Sequence, residues 1–433
     1  TQTIWSASFW TRFDRPRERR TMDILNGFAF LFSNPMALAF VVLGALTGII
    51  VGAIPGLTAA ATIAMLLPLT FYLDPLSALA FLYVIGKSGR FGGSIAAILF
   101  NTPGTAASAA TMQDGHPMTL NGQSGKALKT ATVASVFGDT FGELVLIFGA
   151  VFIASYTVRF GPPEYFSIYI MAFVVIGSVV GNSVLKGLLS ALLGALVSLV
   201  GLDPIDGTVR LTMGIYELQS GLSLVPVLIG MFVFAEIAVQ LENTYRPDVQ
   251  SPKRSDAAPS VSHLTLPEFK RCIPVMLRSS AIGSFIGMLP GLGSAVACFV
   301  AYGEEKRRSP TPEKWGTGIV EGIAAPESAN NAVSGPSMIP LLTLGIPGST
   351  ISAVLIGVFI IHGIQVGPAI FLTSGELIFG LFAAGLTGIA VYGIIGYWGG
   401  PLIGRSVSGL SPKSLYPFIF ATAFIAAYSA RQS

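Results

Sequence analysis

The stretch Glu321–Pro368 reads EGIAAPESANNAVSGPSMIPLLTLGIPGSTISAVLIGVFIIHGIQVGP. Most of it is apolar enough to sit in a bilayer. Yet it carries Ser328, Asn330, Asn331, Ser334, Ser337, Thr343, Ser349 and Thr350, and four prolines precede Ser349. Hydrocarbon offers the backbone no hydrogen-bond partners, so a broken helix at membrane depth survives only inside protein or along a water-filled cavity. The N–H and C=O groups freed at such a break can hold ions and anionic groups. The plain alternative is a kinked structural helix with a loop. Polar residues bracketing both Pro-Gly breaks weigh against it.

Composition sets the class around this stretch. Of 433 residues, 52% are hydrophobic and only 11% charged, with mean hydropathy +0.70. A soluble domain carries about 25% charge. The chain therefore reads as an all-α polytopic protein of the lipid bilayer. Its 50 glycines suit close helix packing and broken helices. The net charge of +3 reflects basic residues in short loops, and nothing in it points to nucleic acid. Cys272 and Cys298 form no CxxC-type arrangement and read as small packing residues.

Residues 1–21 read as a basic N-terminal extension. Arg15, Arg17, Arg19 and Arg20 precede MDILNGFAFLF without a small-residue cleavage site, so this is not a signal peptide, and Met22 is a plausible start. The first membrane half is expected over 22–241. Asp23–Phe32 reads as an interfacial helix, and Met36–Ile54 as a span that ends in the break Pro55-Gly56. Thr58–Tyr72 follows with no polar loop, as in a re-entrant hairpin or a broken span. Leu76–Ile85 leads to a Gly-rich turn at 86–94, a half-helix at Ile95–Phe100 and a second break at Pro103-Gly104. A polar loop at Gln113–Lys129 then precedes spans at Thr130–Tyr156, Tyr165–Val180, Val184–Val200 and Leu222–Leu241. Residues 242–267 read as a cytoplasmic linker. The second half, 268–433, has Cys272–Leu289, the break Pro290-Gly291 and Ser294–Tyr302, bracketed by positive charge as in a hairpin. Spans near Leu372–Tyr397 and Leu415–Tyr428 close the chain.

The breaks recur. GAIPGL at Gly52 returns as GMLPGL at Gly287, and NTPGT at Asn101 is matched by GIPGST at Gly345, with Pro347-Gly348. Duplicated broken-helix segments, here expected to form an inverted pair, are the sequence pointer to a transporter binding site.

At these residues the chain resembles a known family. GAIPGLTAAATIAMLLPLTF, FGGSIAAILFNTPGTAAS with DGHP, FGPPEYF, GMLPGLGS, and EGIAAPESANNAVSGPSMIPLLTLGIPGS with HGIQVGP resemble the large membrane subunit of the tripartite tricarboxylate transporters, the TctA family, from about Met22 to Ser429. The resemblance implies a secondary transporter driven by an ion gradient, most often sodium. It implies a small membrane subunit, a periplasmic solute-binding protein that delivers a carboxylate, and a bacterial inner-membrane location. Two departures stand out. Lys87 and Arg90 fall where the family pattern is small and Gly/Tyr-rich, and the chain stops at Ser433 where family members continue, as in a truncated or shortened chain.

The expected site pairs Asn101, Thr102 and Thr105 with Asn330, Asn331 and Ser334. Their amides and hydroxyls, with carbonyls freed at the breaks, are hard oxygen ligands for Na⁺. The helix N-termini after Pro103 and Pro347 would face an anion, with Ser349 and Thr350 at the second. Ser94, Lys87 and Arg90 are substrate-carboxylate candidates; alternatively the two cations are topological charges at a surface turn. Asp139 and Glu143, four residues apart, are coupling candidates for a proton or cation, or face a partner or a wet crevice. For Asn101, Asn330 and the rest, the competing reading is helix capping and interhelical hydrogen bonding. Glu327 follows Pro326 and reads as a cap. Glu236 reads as interfacial. His116 and His362 lack a second metal-type ligand, so no metal enzyme is expected. Gly86-Lys87-Ser88 ends like a P-loop, but Phe81 occupies the position of its required glycine.

The expectation is cation-coupled import of a dicarboxylate or tricarboxylate by alternating access, with no cofactor beyond Na⁺ or H⁺ as coupling ion. The rivals are a passive anion channel, a transport-dead membrane scaffold, and an intramembrane enzyme, for which HExxH and GxSxG motifs are missing. Citrate, smaller dicarboxylates and aromatic carboxylates all fit the motifs.

Overall fold

The computed structural model describes residues 17–54, 57–179, 184–203, 205–245 and 263–408, with a few single positions between 417 and 428. Pro55 and Gly56, the N-terminal run through Arg15, most of the expected linker and most of the span expected at Leu415–Tyr428 lie outside the described residues.

Helix starts follow local chemistry. Helix α1 (Arg17–Phe32) leads to α2 (Pro35–Ala53), where Asn34 accepts from the Ala37 N–H at 3.0 Å and proline occupies the first turn. Proline suits that position because its missing donor is unneeded there. A short α3 (Ala59–Leu66) begins on Thr58, and α4 (Pro75–Phe100) on Asp74, which accepts from Leu76 and Ser77 N–H at 3.1 Å each. Then come α5 (Ser108–Leu120), α6 (Ser124–Thr157), α7 (Pro162–Val179) and α8 (Val184–Ser198). A two-stranded antiparallel ribbon, Gly201–Leu202 with Val209–Arg210, follows and was not expected from sequence. Next are α9 (Leu224–Ile229) and α10 (Ala235–Tyr245), joined through a π-turn. The later chain forms α11 (Leu266–Met288), α12 (Gly293–Arg308), α13 (Val320–Ala332), α14 (Ile339–Leu344), α15 (Thr350–Ile361) and α16 (Gly375–Ser408).

Among the described residues, α2, α6 and α16 contain stretches long and apolar enough to cross a membrane, and helices α3, α8 and α15 are shorter and apolar. Large apolar side chains such as Phe148, Phe152, Phe166, Leu189 and Leu192 point outward from α6, α7 and α8. In lipid that exposure is favourable, and burying them again in protein gains little.

Two expectations are corrected. The turn and half-helix at 86–100 are instead one continuous helix, α4, of 26 residues. Interior glycines each disfavour helix by about 1 kcal/mol. Where α2 lies against α4 a side chain does not fit: a Cβ on Gly92 would fall 2.5 Å from the Ile49 carbonyl oxygen and 3.0 Å from Gly52 Cα, and on the α2 side a Cβ on Gly52 would fall 2.3 Å from the Gly89 carbonyl oxygen. The polar loop at 113–129 is instead α5, a short turn and the start of α6. Its charged Asp114 is buried and consumed by protein N–H groups rather than by water.

Helix α13 sits in the middle, packed on α6, α11, α12 and α5, while α16 from the second half covers α1, α2, α4 and α6 of the first. Close approach of α6 to α13 depends on Gly138 and Gly142, where a Cβ would stand 2.2 Å from the Ser328 carbonyl and 2.6 Å from that of Ala332.

At the start of α11, Thr265 and Glu268 form a reciprocal capping box, and Lys126 lies 2.9 Å from Glu268. Burial pushes the Glu268 carboxyl up, but hydrogen bonds from the Thr265 hydroxyl and backbone, with Lys126, outweigh it and hold the group at about 2. A depressed carboxylate stabilises the fold above its unfolded value of about 4.3, and that contribution disappears as pH falls towards 2. Thermal unfolding of Glu268→Gln should therefore converge on the native protein as pH drops from 5 to about 2. At Gly138, leucine should cost at least about 3 kcal/mol by overpacking against backbone. Alanine at Gly303, where nothing lies within 4 Å, should be neutral or stabilising by up to about 1 kcal/mol in the same melts.

Candidate functional site

The buried polar groups gather where α4, α6, α13 and α16 meet. On α4, Tyr83, Lys87, Arg90 and Ser94 recur at three- and four-residue spacing and so share one face. On α6, Ser135, Asp139 and Glu143 do the same. Every one of these side chains is buried.

Lys87 Nζ lies 2.6 Å from Asp139 Oδ1 and 2.8 Å from Glu143 Oε2, with all three side chains fully excluded from solvent. The Tyr83 hydroxyl donates to Glu143 Oε2 at 2.8 Å, and that of Tyr392 on α16 donates to Asp139 Oδ2 at 3.2 Å. The ammonium also stands 4.7 Å from the Tyr83 ring centre. Gly385 leaves room for this group, since a Cβ there would meet Glu143 Oε1 at 2.4 Å. Two carboxylates face one ammonium, and Glu143 Oε1 has no hydrogen-bond partner among the described residues.

One turn further along α4, Arg90 Nη1 donates to the Asn330 carbonyl at 3.4 Å, while its Nε is unpartnered. Both amide atoms of Asn330 and the Oδ1 of Asn331 are also buried without partners; Asn331 Nδ2 donates to the Glu327 carbonyl at 3.0 Å. Native interiors satisfy nearly all such groups. Four bare polar atoms on Arg90, Asn330 and Asn331 thus mark a place shaped for something polar.

Glu327 completes the centre. Ser94 Oγ donates to its carboxylate at 2.5 Å and Ser135 Oγ at 2.8 Å, and Thr111 Oγ1 donates to it as well.

The break residues divide. Thr105 packs on Gly93, where a Cβ would lie 3.2 Å from its Cγ2, and its N–H donates to Ser108 Oγ at 3.0 Å. Asn101 closes α4 in the left-handed region at φ 54° and is exposed, and the Thr102 hydroxyl donates to the Phe100 carbonyl at 3.1 Å. Both Asn101 and Thr102 thus serve the helix end, and among the described residues neither hydrogen-bonds to the α13 asparagines. Ser349 caps α15 through a reciprocal box with Ser352 and lies 3.2 Å from Ser337 Oγ, which donates to the Ser334 carbonyl. Thr350 is exposed in the first turn of α15. Ile351 beside it abuts Gly86, at 2.8 Å from a Cβ built there. The second-half Pro-Gly tip therefore touches α4 one turn before Arg90, and the first-half tip touches it one turn after.

Of the residues singled out from sequence, Lys87, Arg90, Ser94, Asp139, Glu143, Asn330 and Asn331 are buried in this centre, Lys87 and Arg90 inside α4 rather than at a surface turn, and Ser334 is buried just past the end of α13. Tyr83, Thr111, Ser135 and Tyr392 were not among the candidates, and Glu327 was read as a cap. The four-residue spacing of Ser135 with Asp139 was available as a signal; Tyr392 offered none. His116 lies in α5, with Nδ1 3.2 Å from the Ile98 carbonyl, and His362 caps the end of α15. Asp114 is a structural clamp, accepting from the N–H groups of Gly316, Gly318 and Ile319 and from the Tyr302 hydroxyl at 2.8 Å.

Ionisable groups held inside an apolar helical body are costly and mark solute or ion paths, so fold and centre together define a membrane transport protein. The chain matches the model of the Tripartite tricarboxylate transporter TctA family over residues 38–433, and it belongs to that family. It is thus a tricarboxylate transporter subunit. It is 37% identical over 413 residues, 94% of this chain and 81% of the relative, to a protein of Agrobacterium vitis described as an uncharacterized 52.8 kDa protein in the TAR-I ttuC' 3'region. A second Agrobacterium vitis protein, from the TAR-II ttuC' 3'region, is 42% identical over 149 residues, 34% of this chain and 60% of that relative. No solved structure gives a significant match.

Replacing Lys87 by methionine strands two buried carboxylates and should destabilise the protein by about 3–5 kcal/mol. Adding Asp139→Asn and Glu143→Gln should recover most of that loss, read as melting of the purified protein in detergent.

Proposed function

We propose that this chain is the large membrane subunit of a cation-coupled carboxylate importer, in which the substrate binds at Arg90 between the two Pro-Gly tips. The observation that carries the reading is the set of bare, buried polar atoms on Arg90, Asn330 and Asn331, with Arg90 standing on α4 between the contacts of the two tips at Gly86 and Gly93. A guanidinium presents a planar fork that matches a carboxylate, and in a dry site it holds one far better than a surface charge does. The first turn of α15, behind Ser349 and Thr350, adds N–H groups and a positive dipole end for a second carboxylate of the same molecule. Ser94 and Lys87 contribute through the charges they hold rather than by contact: Ser94 is spent on Glu327 and Lys87 on Asp139 and Glu143.

The coupling cation fits the oxygen-rich end of α13, where Asn330, Asn331 and Ser334 supply amide, hydroxyl and carbonyl oxygens suited to Na⁺. Thr105 lines the other tip. The two halves act as inverted repeats that rock about this centre in alternating access. A periplasmic solute-binding protein delivers the carboxylate, a small membrane subunit completes the complex, and the bacterial inner membrane houses it; membership of the family supports this part of the reading. A second reading, proton coupling through Asp139 and Glu143, is favoured by the bare Oε1 of Glu143 beside a triad with one negative charge in excess. Passive anion conduction and a scaffold role remain the rivals that the same assay excludes.

The test is uptake of labelled di- and tricarboxylates into proteoliposomes holding this subunit and its small partner, with the binding protein supplied. Accumulation should follow an imposed Na⁺ gradient. Arg90→Gln should lower uptake at least about tenfold, and Arg90→Lys should recover only part, since the point charge lacks the fork. Asn330→Ala should weaken the Na⁺ dependence more than the carboxylate dependence. Flux that ignores every gradient would favour the channel. Accumulation driven by pH alone would move the coupling to Asp139 and Glu143.

A further inference from the structure

Glu327 differs from the other buried acids. Asp139 and Glu143 share Lys87, and Asp114 takes backbone N–H groups. The Glu327 carboxylate is fully buried and meets three hydroxyls from three helices, Ser94 on α4, Thr111 on α5 and Ser135 on α6. Among the described residues no Lys, Arg or His lies within ion-pair distance of it. A buried charge without a counter-charge is costly, and such a group relieves the cost by taking up a positive charge. Its neighbour one turn on, Asn331, holds a buried Oδ1 without a partner and donates its Nδ2 to the Glu327 carbonyl.

Its position gives that charge a consequence. Glu327 stands one turn before Asn330, whose carbonyl receives Arg90, and Ser94, which binds Glu327, stands one turn after Arg90 on α4. An ionised Glu327 therefore opposes the entry of an anion at Arg90.

We infer that Glu327 takes up a second cation, a proton or Na⁺, beside the one placed at Asn330, Asn331 and Ser334, and that its neutralisation admits the carboxylate substrate at Arg90. A proton that bonds to a carboxylate oxygen takes its formal charge from −1 to 0; Na⁺ coordinated beside it with the Ser94, Thr111 and Ser135 oxygens leaves the carboxylate at −1 and brings the net charge of the site to 0. This deepens the transport reading and rests on it for the substrate. By linkage, the cation tightens the carboxylate and the carboxylate tightens the cation by the same factor, of order 5–150-fold. Ionisable groups on the elements around it include Tyr83, Lys87 and Arg90 on α4, Asp114 and His116 on α5, Lys126, Lys129, Asp139, Glu143 and Tyr156 on α6, Cys272 on α11, Cys298, Tyr302, Glu304, Glu305, Lys306, Arg307 and Arg308 on α12, Glu321 on α13 itself, and Tyr392 and Tyr397 on α16. On α11, Arg278 is bound to Glu305 at 2.5 Å. None of these forms an ion pair or hydrogen bond with the Glu327 carboxylate among the described residues.

The experiment is thermal unfolding of the purified full chain without substrate, with Na⁺ varied at constant pH and then pH varied without Na⁺, for native protein and Glu327→Gln. A ligand that binds only the folded state raises Tm, here expected by at least about 2 °C at saturation. A rise with Na⁺ that Glu327→Gln loses assigns the site to sodium. A rise with falling pH, relative to Glu327→Gln, assigns it to the proton. A native protein insensitive to both, or a Glu327→Gln variant as responsive as native, overturns the inference. Should Glu327→Gln fail to fold, Glu327→Asp serves: its shorter carboxylate should shift the cation midpoint at least about tenfold, and an unchanged midpoint overturns the inference equally. In liposomes with the small subunit, Glu327→Gln should exchange labelled carboxylate but not accumulate it. Native protein that fails to transport while its Tm shift stands would count against the transport reading alone.

Discussion

An ion in a low-dielectric helical core must be met by opposite charge or by several hydrogen-bond donors, and meeting it is what holds this molecule in one arrangement. Lys87 needs Asp139 and Glu143, which brings α4 against α6. Glu327 needs Ser94, Thr111 and Ser135, which brings α13 against α4, α5 and α6 at once. Tyr392 ties α16 to the same group through Asp139. None of these contacts adds much net stability over an apolar core, but breaking any one leaves a stranded charge. Such a network specifies which helices meet and in what register, in a bilayer where hydrophobicity alone gives helices little preference for one another.

Close approach makes the network possible. Lys87 reaches Asp139 at 2.6 Å, and the adjoining contacts of α4 with α2 and of α6 with α13 run along glycines. The same small residues bring the Pro-Gly tips against α4 on either side of Arg90, at Gly86 and Gly93. Packing and site are thus one design: the glycines that weaken α4 as an isolated helix let it serve as the shared wall of both tips.

Much of this was legible in the sequence where the cause is local. Composition gave the membrane class; Ser349 and Thr350 marked the helix start after Pro347; and Asn330 and Asn331 stood out as polar groups in an apolar run. Other features resisted because their cause is distant. The run from Gly86 to Ser94 looked like a turn by propensity, and only the presence of α2 against it makes a helix there. Asp114 looked solvent-exposed because its partners lie some 200 positions away. Glu327 looked like a cap because Pro326 precedes it, while Ser94, its partner, is 233 residues earlier in the chain. Pairings of that kind depend on helix rotation and depth, which no local pattern encodes.

The claim on which the rest turns is that the buried Arg90–Asn330–Asn331 cluster is where solute and water reach the inside of the helical body. It is tested most directly by placing one thiol there: Asn330→Cys in a chain whose two native cysteines, Cys272 and Cys298, are replaced by alanine. In oriented vesicles, a membrane-impermeant thiol reagent should label that position, and a tricarboxylate with Na⁺ should slow the labelling. A thiol that stays unreactive from both sides under every condition, in protein that is folded, would contradict the account and make the polar core purely structural.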